Sequence, residues 1–197
     1  MFATSLRKLA LAATAAAMLA AGCTTTTGGT APTPAEERQS IENGVESTMT
    51  LLQANVPGSR ALLAKASGVL VFPRVIEAGF VVGGEHGHGA LRVGGRTRSY
   101  YQITGLSLGL QAGAQSKALV ILFLTPAALE RFLASNGWTA GADASVAVIR
   151  DGANATIDSI SAHADVTALA LTNSGLMAAA KVDGSKITRL DLSGGRL

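Results

Sequence analysis

The chain has 197 residues, 16 basic against 13 acidic side chains, and 15% charged and 48% hydrophobic residues. Its single cysteine excludes an internal disulfide. Beyond residue 23 no segment is long and apolar enough to cross a bilayer as a helix.

The first elements are an export signal and a tether. Arg7 and Lys8 precede an apolar run from Leu9 to Ala21, too short to span a membrane permanently. Leu19-Ala20-Ala21-Gly22-Cys23 then reads as a lipoprotein cleavage site, with Leu19 one step earlier than usual. Residues 1–22 are expected to be removed, and Cys23 to become the acylated first residue. Acylation would consume a thiol that is a liability in an oxidising periplasm. Several acyl chains, each burying methylenes at roughly 0.8 kcal/mol apiece, hold a protein on a membrane. Thr24, in place of an Asp after the cysteine, points to the outer membrane and the periplasmic side of the cell envelope. Loss of Arg7 and Lys8 leaves the two charge signs nearly level, so the sequence pI of 9.4 overstates how basic the mature chain is. Residues 23–35 read as a small, polar, Pro/Gly-containing lipidated tether, and 36–197 as one domain.

Thr33-Pro34-Ala35-Glu36 predicts a capping box that opens a helix. Ile41, Val45, Thr48, Met49 and Leu52 share its buried face. Pro57-Gly58 interrupts, and Ser59 to Ala66 predicts a second short helix. From Gly68 the apolar period becomes two. Strands are expected at 69–72 (closed by Pro73), 79–84, 90–93, 96–103, 106–115 and 118–124, with Gly94-Gly95 as a two-residue hairpin turn. Leu106, Leu108, Leu110, Ala112 and Ala114 point one way. Ala118 to Leu124 is apolar throughout, as a strand covered on both faces requires. A third helix is expected near 126–136, capped by Thr125-Pro126. Strands resume at 145–149, 156–161, 166–171, 176–181 and 186–192. The fold class is α+β: N-terminal helices, then a large, mainly antiparallel sheet that curls into a barrel-like body.

Few residues invite chemistry. His86 and His88 would present two imidazoles on one strand face, but His163 is the only other histidine and zinc needs three or four ligands. The surrounding glycines suggest an exposed, bent hairpin. Gly83 to Gly89 lacks the GK[ST] ending of a phosphate loop, and no GxSxG is present. The reading is a binding module, not an enzyme, with no metal and no cofactor. The charge signal lies between residues 60 and 117, where Arg60, Lys65, Arg74, Arg92, Arg96, Arg98 and Lys117 face only Glu77 and Glu85. Arg96 and Arg98, two apart on a strand, would share a face with Arg92 across the turn. Guanidinium offers a forked donor set to phosphate oxygens. The nearest phosphates to a tethered domain are lipid head groups, and nucleic acid is not an expected partner there. The alternative is a solvated hairpin whose charges serve solubility. Of Tyr100 and Tyr101, one ring should be core and one surface. Trp138 reads as a core plug or an interfacial anchor.

Four blocks in order resemble the SYLF-domain family: Ala66-Ser67-Gly68-Val69-Leu70-Val71-Phe72-Pro73, Ala78-Gly79-Phe80-Val81-Val82-Gly83-Gly84-Glu85, Ser107-Leu108-Gly109-Leu110-Gln111-Ala112-Gly113-Ala114-Gln115 and Gly141-Ala142-Asp143-Ala144-Ser145-Val146. The resemblance spans roughly Ile41 to Leu192. It implies a phospholipid-binding domain. Eukaryotic relatives bind phosphoinositides, some fungal members bind actin, and bacterial relatives are often lipoproteins. The basic N-terminal segment implicated in lipid contact matches Val56 to Ala66, which keeps Arg60 and Lys65. The expectation is therefore a membrane-anchored module. Cys23 is its lipid attachment point, and the seven cations meet anionic head groups. The alternative is an envelope structural or protein-interaction module without lipid affinity of its own.

Overall fold

The computed structural model describes residues 31–149, 164–172, 175–176 and 184–193. Cys23, the export signal and most of the tether lie outside the described residues. So do His163, the expected strand at 156–161 and most of that at 176–181.

Helix α1 spans Pro34–Asn55. The expected capping box is present: the Glu36 N–H donates to Thr33 Oγ1 at 3.3 Å, and the Thr33 N–H donates to Glu36 Oε2 at 2.8 Å. The backbone and hydroxyl hydrogen bonds from Thr33 hold the Glu36 carboxyl below its ordinary range. Ile41, Val45, Thr48 and Leu52 form the buried stripe. Val56 is extended and Gly58 is left-handed at φ 80°, which turns the chain into helix α2, Ser59–Lys65.

Strand β1, Gly68–Val93, and strand β2, Arg96–Phe123, form one long antiparallel ribbon. The turn at its tip is Gly94-Gly95, with φ of 59° and 79°, as a two-residue hairpin of this type demands. The sequence reading divides each of these strands into three. Pro73 does not end a strand. It sits at a register break, where Phe72 pairs with Leu119 and Val75 with Lys117, so its missing N–H leaves no gap in the ladder. Gly83 to Gly89 is likewise continuous strand, so His86 and His88 lie within β1 and not in a bent hairpin.

The ribbon turns a corner at its middle. Gly79 pairs with Gly113 but Val81 with Gly109, so β2 carries extra residues there, as a bulge that bends a strand does. Beyond the corner, the second half of β1 folds back over the first. A side chain at Gly87 would lie 2.6 Å from the Arg74 carbonyl oxygen, and one at Gly89 would overlap the Val71 carbonyl. Here glycine is needed for close approach of two backbones.

Helix α3, Pro126–Ala134, follows with Thr125 as its cap. The remaining strands are β3 (Trp138–Thr139), β4 (Val146–Ile149), β5 (Val166–Thr172), β6 (Gly175–Leu176) and β7 (Lys186–Leu190). Strand β2 is the hub. Opposite β1, its Tyr100–Thr104 stretch pairs with β7, and its Ala118–Phe123 stretch pairs with β5. Pairings are antiparallel except that of β4 with β5. The described sheet has seven strands, and with the helices it is the α+β architecture the sequence implies.

Two apolar clusters lie on its two faces. The inner one gathers Leu70, Phe72, Leu119, Ile121 and Phe123 around Leu129 and Phe132 of α3. Trp138 is buried in it, with ring centroids 5.7 Å from Phe132 and 6.2 Å from Phe123. The outer one packs Ile41, Val45, Leu52, Val56 and Leu62 on Val69, Val71, Ala90, Val120 and Leu122. Strand β2 is thus covered on both faces from Ala118 to Phe123, which is why that run carries no polar residue.

Candidate functional site

The seven cations divide into two groups. Arg60 and Lys65 are exposed on α2, Arg74 at the register break after Pro73, and Arg96 and Arg98 beside the hairpin tip. Arg96 and Arg98 do not follow simple strand alternation. Leu91 pairs with Ser99 and Arg92 with Thr97, so Arg98 is the bulged extra residue and its direction is not tied to that of Arg96. Among the described residues, Arg60, Arg74, Arg96 and Arg98 have no ion-pair partner.

Arg92 and Lys117 are different, and here the even treatment of seven cations needs correction. The Arg92 Nη2 donates to Glu46 Oε1 at 2.6 Å and to Glu42 Oε2 at 3.2 Å, both on α1. Burial opposes the Arg92 charge, but the two carboxylates outweigh it and raise its pKa. Glu42 is the centre of this joint. It also accepts from the Tyr100 hydroxyl at 2.9 Å. Burial works against the Glu42 carboxylate, yet Thr97, Tyr100 and Arg92 together hold it below its ordinary value. The buried Thr97 hydroxyl acts from a position short of full hydrogen-bond geometry. Nearby, His88 Nδ1 lies 2.5 Å from Glu37 Oε1, and the His86 ring meets that of His88 edge-on at 4.8 Å. Tyr101, the partner ring of Tyr100, is buried against Phe132.

Lys117 is 6% exposed and faces the interior of the corner. Its ammonium hydrogen-bonds Glu77 Oε1 and lies 3.6 Å from Glu85 Oε2. The other Glu85 oxygen accepts from the Ser185 hydroxyl. Glu77 and Glu85 stand on opposite sides of the corner, so Lys117 clamps the two arms of the ribbon. Both acids of the 60–117 stretch therefore share one cation, Glu85 buried and Glu77 partly buried. The sequence reading missed the counter-ions Glu37, Glu42 and Glu46. Their signal was present, since Glu42 and Glu46 are four apart on one helix face.

The Glu42 joint carries a pH expectation. A carboxyl whose folded pKa lies below its ordinary 4.5 adds stability above that value, which is lost as pH falls through the folded pKa. Thermal unfolding should therefore show the parent losing stability as pH drops below about 4.5, and Glu42→Gln should flatten that limb. An unchanged acid limb in the variant would mean that Glu42 does not couple α1 to the sheet.

One open cavity of about 470 Å³ is lined by Thr139, Gly141, Ser145, Val146 and Gly184. Among the described residues no charged side chain lines it. Among the described residues no three His, Cys, Asp or Glu side chains cluster as metal ligands would.

No curated protein matches the chain. Residues 104–191 match the family model Ysc84, described as Las17-binding protein actin regulator. That segment starts inside β2 and runs just past β7, so it contains β2 from Thr104 onward together with β5 and β7, the strands paired to the far edge of β2. Residues 104–191 thus match the Ysc84, or SYLF-domain, family, the same family that the earlier blocks of the sequence resemble.

Proposed function

We propose that this protein is a lipid-anchored binding module of the bacterial envelope whose exposed cations engage phospholipid head groups. The observation that carries the reading is the sorting of charge. Among the described residues, Arg60, Arg74, Arg96 and Arg98 are exposed without an ion-pair partner, while Glu77 and Glu85 of the same stretch share Lys117. Lys65 extends the set from α2. Arg92 and Lys117 leave it, because a guanidinium or ammonium already held by two carboxylates has little to offer a phosphate. Cys23 supplies the acyl anchor and the outer membrane its destination. Each cation near an anionic surface contributes about 1 kcal/mol, and the anchor removes most of the entropic cost of arrival. The SYLF family's association with lipid supports the same reading.

The test is vesicle flotation of a chain beginning at Thr24, which keeps the whole compact unit from Thr33 onward. Binding to vesicles containing phosphatidylglycerol should exceed binding to pure phosphatidylcholine and should fall with added salt. Replacing Arg60, Arg74, Arg96 and Arg98 by Gln should weaken it by about three powers of ten. Equal binding to both vesicles, or no loss in the variant, ends the electrostatic reading. The description of the matched family favours a second reading, a protein-binding module. Crosslinking in cells to a protein, with no vesicle affinity in vitro, would select it.

A further inference from the structure

The outer face of the sheet continues past the helices that cover it. Under α1 and α2 that face buries Val69, Val71, Ala90 and Val120. Toward the corner it goes on as Ile76, Ala78, Ala114 and Leu106, all exposed. Alternation fixes their direction, since Val75 and Ile103 are inner-cluster residues and Ile76 is one step, Leu106 three steps, along. Leu106 is 83% exposed and Ile76 46%, and among the described residues they are the large hydrophobics so exposed. They flank the corner from its two sides.

The charge around them is one-signed. Arg74 is exposed two residues from Ile76 and has no ion-pair partner among the described residues. Glu77 and Glu85, the acids nearest in sequence, face the interior and are held by Lys117. An apolar tip with a cation beside it and no described carboxylate on its surface matches the boundary between head groups and acyl chains of an anionic leaflet.

We propose that this corner inserts shallowly into a phospholipid surface, with Leu106 and Ile76 among the upper acyl segments and Arg74 on phosphate. The proposal rests on the phospholipid reading and adds the face that makes contact. A second copy of the chain fits less well. Two side chains fall far short of the roughly 800 Å² per partner of a stable interface, and a two-fold axis through the corner would bring Arg74 against its own copy.

The test uses the chain from Thr24 and vesicles of phosphatidylcholine with phosphatidylglycerol. In Leu106→Trp, the added indole starts in water, whereas Trp138 is buried and gives a constant background. On vesicles the added emission should shift to the blue and be quenched by brominated acyl chains. Leu106→Ser should bind about tenfold more weakly than the parent, with an unchanged thermal transition because the site is exposed. If the parent binds but the indole stays unshifted, or Leu106→Ser binds as tightly, the insertion is wrong while the phospholipid reading stands. If the parent itself fails to bind, that reading falls first. If Leu106→Ser alters only sedimentation, the corner is an interface between copies and the proposal is overturned.

Discussion

Replacing Lys117 by Met should lower the unfolding free energy by about 3–5 kcal/mol, the range for breaking a buried ion pair from one side. The methionine fills the space of the lysine stem but leaves Glu77 and Glu85 without their shared cation. Glu85 is 8% exposed and cannot regain its hydration where it stands. A carboxylate left buried without its counter-ion is the source of the expected loss. Adding Glu85→Gln should restore much of the loss, since the amide still accepts from Ser185 without a charge. Urea unfolding of the two single variants and the double variant measures the coupling. A Lys117→Met loss below about 1 kcal/mol would show that the ammonium is a bystander at the corner.

Gly89→Ala should be similarly damaging, at about 3 kcal/mol, the upper part of the range for overpacking. The new methyl would overlap the Val71 carbonyl oxygen, with the Val71 carbonyl carbon at 2.9 Å and Phe72 Cδ1 at 2.6 Å. These are backbone and a buried ring, neither able to swing aside as an exposed side chain does. The arms of the ribbon must separate, and the inner cluster they enclose opens with them. Gly84→Ala is the control within the same glycine-rich segment. Among the described residues its methyl would find the Gly105 carbonyl oxygen at 3.9 Å and nothing nearer, so its effect should stay within about 0.5 kcal/mol. Equal Tm values for the two variants would contradict the close crossing of the two halves of β1.

Much of the local structure was legible because its causes are local. Thr33 and Glu36 are three residues apart, and their reciprocal hydrogen bonds need only the first turn of α1. Gly94-Gly95 had few alternatives to a tight turn between two apolar runs. The unbroken apolar run at 118–123 announced a strand covered twice, and it is. The strand lengths were misread for an equally physical reason. Pro73 and the glycines of 83–89 are turn residues by local chemistry, but bulges and a close crossing use them inside a continuous ladder.

Charge was the least legible property. Composition and order along the chain determined the α+β class, the helix starts, the hairpin and an excess of cations between residues 60 and 117. They did not determine which cations remain available. Arg92 meets carboxylates 46 and 50 residues away, and Lys117 a carboxylate 40 residues away. Coulomb energy depends on separation in space and on exclusion of water, and neither is a function of position in the sequence. Only the tertiary fold, by closing α1 over the sheet and bending the ribbon at its corner, decided which charges neutralise one another and which face outward.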